Sequence, residues 1–152
     1  MPQAAVEVAY KPFPWQAEVH KGMENAQHTI LSCGRRTGKT ELASVSLLKW
    51  GLAKPDSLNW WVGPTYKNCR TGYRRFVKNI PRDLEIRKLY GKEMLVELAG
   101  NRIFEWRSAD KPDNLRGDGL DSLVIDEMAH ITRPAWEEIL QPALEIDAKF
   151  LG

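Results

Sequence analysis

The stretch SCGRRTGKTE, residues 32 to 41, ends in Gly38-Lys39-Thr40, the three residues with which a phosphate-binding loop closes. The usual pattern is Gly, four free positions, then Gly-Lys-Ser/Thr. Here the first slot holds Cys33, and Gly34 falls one place late. The chemistry such a loop performs is clear: Gly38 lets the backbone approach a phosphate, Lys39 offers a cation to the β and γ phosphates, and Thr40 offers a hydroxyl to a magnesium ion. A second constellation stands far downstream, where the apolar run LVIDE ends in Asp126 and Glu127. In a nucleoside triphosphatase the first of two such carboxylates holds magnesium and the second orients and deprotonates the attacking water. Each motif has an ordinary alternative, a turn with a solvent-facing lysine and a helix cap respectively, so position relative to strands and helices decides.

The flanking sequence predicts those elements. HTILSC (28–33) reads as a buried strand entering the loop, and TELASVSLLKWGLAK leaves it as a helix, with Leu42, Val45, Leu48 and Leu52 at helical spacing and an end before Pro55. A helix over Pro14–Met23 precedes both, with Pro14 suited to its first turn. LNWWVGP (58–64) is a second buried strand. TYKNCRTGYRRFVKNI follows as a helix with Tyr66, Tyr73, Phe76 and Val77 on one side. MLVELAGNRIFEWRSA predicts a hairpin turning at Gly100-Asn101, and DSLVIDE (121–127) a third buried strand. A last helix over PAWEEILQPAL bends near Pro142, and AKFLG begins a further strand. Strands alternating with helices predict an α/β fold with a mostly parallel sheet, flanking helices and a small antiparallel hairpin.

Length and composition bound the rest. A chain of 152 residues is one domain by size and buries roughly two thirds of its unfolded surface. With 22 basic and 20 acidic residues the net charge is only +2, but basic residues crowd between Lys67 and Lys92, among them Arg70, Arg74, Arg75, Lys78, Arg82, Arg87 and Lys88. That run is either a solvated helix face or a footprint for nucleic-acid phosphates. Cys33 and Cys69 have no metal-ligand spacing and the three histidines are scattered, as in a reduced cytosolic protein. No apolar run approaches the ~20 residues of a membrane span, and the start MPQAAVEVAYKPF lacks the basic-then-apolar pattern of a signal peptide.

In this order the residues resemble the large terminase subunit of tailed bacteriophages and prophages, the ATP-driven motor that packages DNA. PFPWQ resembles the family's adenine-side motif, CGRRTGKT its variant phosphate loop with paired arginines, WVGPTY the segment after the next strand, and NLRGDGLDSLVIDEMAH its arginine-glycine stretch and acidic strand. The family often replaces the first glycine of the loop, which accommodates Cys33.

The resemblance implies a P-loop NTPase fold of the RecA/helicase-like ASCE type, with ATP and Mg²⁺ as ligands. It places the nucleotide on Gln16, Gly34, Arg35, Arg36, Thr37, Gly38, Lys39 and Thr40, the metal on Thr40 and Asp126, and the chemistry on Glu127 and Arg116. Gln16 would read the adenine edge, with Phe13 or Trp15 packed on the ring, or else merely cap a surface helix. Arg116 would offer its charge to its own nucleotide or to a neighbour's. Implied partners are double-stranded DNA, the portal protein, the small terminase subunit and further copies in a homo-oligomeric ring, in the host cytoplasm and away from membranes. The family continues into a coupling segment and a nuclease domain, so residues 1–152 are expected to be a C-terminally truncated, single ATPase domain without nuclease. Loss of the following strand is expected to uncover the sheet edge beside the acidic strand. Another helicase-like DNA-dependent ATPase, or a nucleotide-binding fragment with little turnover, remains as an alternative.

Overall fold

The computed structural model describes residues 8–117 and 119–152. The first seven residues and Asp118 of the arginine-glycine stretch therefore lie outside the described part. Seven strands form one sheet in the order β1-β7-β6-β2-β5-β4-β3. They are β1 His28–Thr29, β2 Ser57–Gly63, β3 Ile86–Tyr90, β4 Leu95–Leu98, β5 Arg102–Ser108, β6 Leu120–Ile125 and β7 Leu144–Leu151. The run β1-β7-β6-β2-β5 is parallel, and β4 and β3 extend it antiparallel.

Three helices, α1 Pro14–Glu24, α2 Lys39–Ala53 and α3 Tyr66–Asn79, bear on the site. The core on the α2/α3 side of the sheet gathers Leu42, Leu47 and Leu48 of α2, Phe76 of α3, and Trp61, Phe104 and Trp106 of the strands. The opposite face packs Trp60, Leu120, Leu123 and Ile125 against Leu115 and the segment Ala135–Leu140. Two covered faces explain why β2 and β6 read as continuous apolar runs instead of alternating ones.

Several expectations change. HTILSC is no buried strand: only His28–Thr29 are strand, His28 is exposed and Ile30 is 66% exposed. The cause is its place at the end of the sheet order, where among the described residues it pairs with β7 alone. The acidic strand β6 is not left at an edge, because β7 lies between it and β1; among the described residues the edge strands are β1 and β3. The basic run is not one helix face. Its second half forms β3, where Arg87 pairs with Glu85 at 2.9 Å and Lys88 with Glu97 at 3.3 Å. On α3 the buried side is Cys69, Gly72, Tyr73 and Phe76, while Tyr66 is half exposed. The bend at Pro142 takes a specific form: Ala135–Leu140 is π-helical, Gln141 N–H donates to the Trp136 carbonyl, and a helical turn over Gln141–Ala143 runs into β7. Proline removes an N–H from the helical ladder, and the wide turn before it absorbs the mismatch.

Candidate functional site

The loop between β1 and α2 is built around Gly38. This residue has φ +97° and is the N-cap of α2, with no side chain capping it, so the first-turn N–H groups of the helix remain open to an anion. A Cβ on Gly38 would also lie 2.8 Å from Gln16 Nε2, so glycine is required twice over, by φ and by space. Gly34 is different: its added Cβ would meet nothing closer than Thr37 Cγ2 at 3.8 Å. The loop's hydrogen bonds close on themselves. Thr37 Oγ1 donates to the Gly34 carbonyl at 3.0 Å, and Lys39 Nζ donates to the Cys33 carbonyl at 3.0 Å. Lys39 is thereby folded over the loop that it would serve.

Gln16 stands directly behind the loop and is only 2% exposed. Its Oε1 accepts from the Phe13 N–H at 2.8 Å and its Nε2 donates to the Gly38 carbonyl at 3.0 Å. The amide therefore closes the start of α1 and ties that helix to the loop. Phe13 is 61% exposed beside it.

Asp126 and Glu127 follow β6 at its C-terminal end. The Asp126 N–H donates to the Val62 carbonyl at 2.9 Å, which anchors the turn to β2, and Glu127 has a left-handed φ of 52°. Burial pushes the Asp126 carboxyl above its usual range, and the neighbouring Glu127 charge adds to this; the Glu127 N–H and Lys39 pull the other way. The two carboxylates differ in setting, with Glu127 48% exposed and 3.9 Å from His130 Nε2. Two groups of one kind held in unlike environments suit two roles, a fixed ligand and a solvent-facing base.

The structure brings the loop from Arg35 to Thr40 and the two acids to one place, while Gln16 and Gly34 line neither cavity there. An open cavity of about 830 Å³ is lined by Arg35, Arg36, Lys39, Thr40, Asp126 and Glu127, together with Thr37 and Gly38. A smaller cavity of about 310 Å³, walled by Leu31, Ala43, Val124 and Met128, adjoins it through Lys39 and the two acids. The crevice lies at the carboxyl ends of parallel strands, where such sheets take ligands.

Sequence reasoning missed Thr65, Asn68, Thr71, Arg75 and His130, which line the same cavity. Arg75 pairs with Glu41 of α2 at 3.5 Å, and Asn79 donates to the same carboxylate at 2.8 Å. His130 comes from the turn after Glu127, and the others from α3 and its N-cap, where the Thr65 hydroxyl accepts from the Asn68 N–H. That cap, next to the glycine ending β2, was the available signal.

Arg116 is not among them. It precedes β6, at the opposite end of that strand from Asp126, and lines a separate cavity with Trp60, Glu105 and Arg107. Its side chain is 69% exposed, paired only with Asp113 at 3.6 Å among the described residues. One copy of the chain does not place Arg116 at its own phosphate loop.

Comparison with known proteins agrees with this architecture. Residues 30–141 match the family model "Terminase large subunit, T4likevirus-type, N-terminal". The large terminase subunit of Thermus phage G20c is 32% identical over 91% of this chain and 32% of its own length, so the chain spans about a third of that relative. The solved ATPase domain of the Thermus phage P74-26 large terminase superposes with a TM-score of 0.81 at 28% identity, covering 95% of this chain and 66% of that one. A large terminase from a thermophilic bacteriophage, solved in complex with ADP, shares the fold at TM-score 0.71 and 18% identity, over 92% of this chain and 38% of that one. The mostly parallel sheet described above is thus the P-loop fold of terminase ATPase domains.

Proposed function

The chain belongs to the phage terminase large-subunit family, and on that premise we propose that it is the ATP-binding and ATP-hydrolysing part of a motor that drives double-stranded DNA into a procapsid. The observation that carries this reading is the convergence of Lys39, Asp126 and Glu127 on one cavity at the uncapped start of α2.

The donor set suits a magnesium-bound nucleoside triphosphate, since the Thr40 hydroxyl and the Asp126 carboxylate, which line one cavity, are hard oxygen ligands. Thr40 and Asp126 are the residues to hold the metal, which when bound neutralises phosphate charge. The α2 N–H groups and Lys39 bind the phosphates; for Lys39 this requires release from the Cys33 carbonyl. Arg35 and Arg36 face the same cavity and add positive charge at the terminal phosphate. Glu127, half exposed beside His130, takes a proton from water at its carboxylate. Gln16, buried and bonded at both amide ends, supports the loop from behind.

Arg116 acts in this scheme on the nucleotide of a second copy, because it stands at the other end of β6 from its own site. Such an arginine neutralises charge on the transferred phosphoryl group and adds ~10³ to 10⁵ in rate. DNA is assigned to the exposed side of α3, where Lys67, Arg74 and Lys78 face solvent. The portal protein, the small subunit, a ring of copies and the host cytoplasm follow from family membership. No helix among the described residues is long and apolar enough to cross a membrane. Residues 1–152 form a single ATPase domain in this reading, and metal-dependent cutting of DNA is not expected of them.

Titration of Mg·ATP into wild type and Lys39→Ala tests the assignment. Loss of a charge-assisted contact should weaken binding by about 1.5–3 kcal/mol, and equal affinities would refute the phosphate loop.

A further inference from the structure

We infer that Trp60, Glu105 and Arg107 form a fixed platform on the sheet that sets the position of Arg116, making them, with Gly117, positioning residues for an arginine delivered to a second copy of the chain. The inference rests on the reading of Arg116 as acting between copies.

An arginine that serves a neighbour cannot be held by its own side-chain partners, because those would have to be broken on engagement. Its accuracy must come from the backbone. Arg116 fits this description, with an exposed side chain and, among the described residues, one long ion pair to Asp113. On one side its backbone is fixed by Leu115, which is fully buried in the cluster around Trp60, and by its own N–H donating to the Asp113 carbonyl at 3.3 Å. On the other side Gly117 lies flat on the indole: a Cβ there would sit 3.1 Å from Trp60 Cζ2 and 3.2 Å from Cη2.

The indole itself is locked. Trp60 is 2% exposed, and its Nε1 donates to Glu105 Oε2 at 3.1 Å. The same oxygen accepts from Arg107 Nε at 3.2 Å and Nη2 at 2.6 Å, while the Arg107 guanidinium lies 5.1 Å from the centroid of the Trp60 ring. Trp60 and Glu105 are register partners across the parallel β2–β5 ladder, so the platform stands on adjacent strands. The other two tryptophans of these strands, Trp61 and Trp106, are buried with no hydrogen-bond partner for Nε1. The fold therefore tolerates unbonded indoles, and a charged network on Trp60 is not needed merely to bury it. Partly buried ion pairs are poor sources of net stability; what three donors on one carboxylate oxygen provide is orientation of the ring beneath Gly117.

The test uses ¹⁵N relaxation on the labelled chain and ATPase assays on the same samples. In wild type the Arg116 and Gly117 amides should be ordered, with order parameters near about 0.85. In Glu105→Gln, which keeps shape but loses charge, and in Gly117→Ala, which lifts the loop off the ring, they should fall below about 0.6 while β2 and β6 amides stay unchanged. Arg107→Leu serves as a third variant should either fold poorly. In the ATPase arm, turnover at high protein concentration should drop on the order of 10²-fold with unaltered nucleotide affinity. Adding Glu127→Gln protein, which lacks its own base but carries an intact Arg116, should restore it. Unchanged order of Arg116 and Gly117 in the variants overturns the platform. Failure of Glu127→Gln protein to complement Arg116→Ala overturns the delivery between copies instead, and the relaxation data still judge the platform.

Discussion

Replacing Gly38 by alanine should cost far more than replacing Gly34, although both glycines lie in the same loop. At Gly38 the backbone sits at φ +97°, where a Cβ costs roughly 1–2 kcal/mol. The same Cβ would stand 2.8 Å from Gln16 Nε2, so the Gln16–Gly38 hydrogen bond must lengthen or break. Losing a bond from a buried amide adds about 1 kcal/mol or more. The expected destabilisation of Gly38→Ala is therefore roughly 2–4 kcal/mol, accompanied by weaker ATP binding because the N–H groups that follow move with the loop. Gly34→Ala meets only Thr37 Cγ2 at ordinary contact distance and should lie within about 0.5 kcal/mol of wild type. Urea unfolding of the three proteins, read by tryptophan fluorescence, gives both differences. Equal costs at the two positions would refute the account of why the loop needs its second glycine and dispenses with the first.

Asp126→Asn separates stability from function. Because the folded-state pKa of Asp126 is raised above its ordinary value, the native state binds more protons than the unfolded state between those two values, and stability falls as pH rises through that window. The variant should be more stable than wild type at neutral pH while losing magnesium-dependent nucleotide binding, and the stability gap should close below the ordinary carboxylate range. Thermal melts across pH check this, and a variant less stable at neutral pH would contradict it. For DNA, Arg74→Glu with Lys78→Glu should weaken binding to duplexes of unrelated sequence and reduce its salt dependence. Arg75 is left intact in that variant because it lines the nucleotide cavity, and unchanged affinity would return the α3 face to a solvated role.

What was legible in the sequence follows from where each element sits. β2, α2 and β6 are covered on both sides, and their apolar runs end at glycine, proline or acidic residues, so pattern and structure coincide. β1 and β3 are edge strands. His28–Thr29 is too short for its pattern to be distinguished from the loop that follows, and IRKLY (86–90) has all five residues exposed, so no burial marks its period. The site divides in the same way. Lys39, Thr40, Asp126 and Glu127 sit at the ends of elements whose direction the sequence reveals, and a parallel sheet must bring those ends together. Arg75 and His130 reach the cavity only through the docking of α3 on α2 and the turn after Glu127, which are tertiary facts. Arg116 was half legible: it stands before β6 and the acids stand after it, so strand direction alone separates them.

The central claim is that this cavity binds ATP and that Glu127 is its base. Single-turnover hydrolysis of prebound Mg·ATP, measured on wild type and Glu127→Gln together with the affinity of each, tests it most directly. The account predicts comparable affinity and a rate at least ~100-fold lower in the variant. Hydrolysis at the wild-type rate by Glu127→Gln would contradict it.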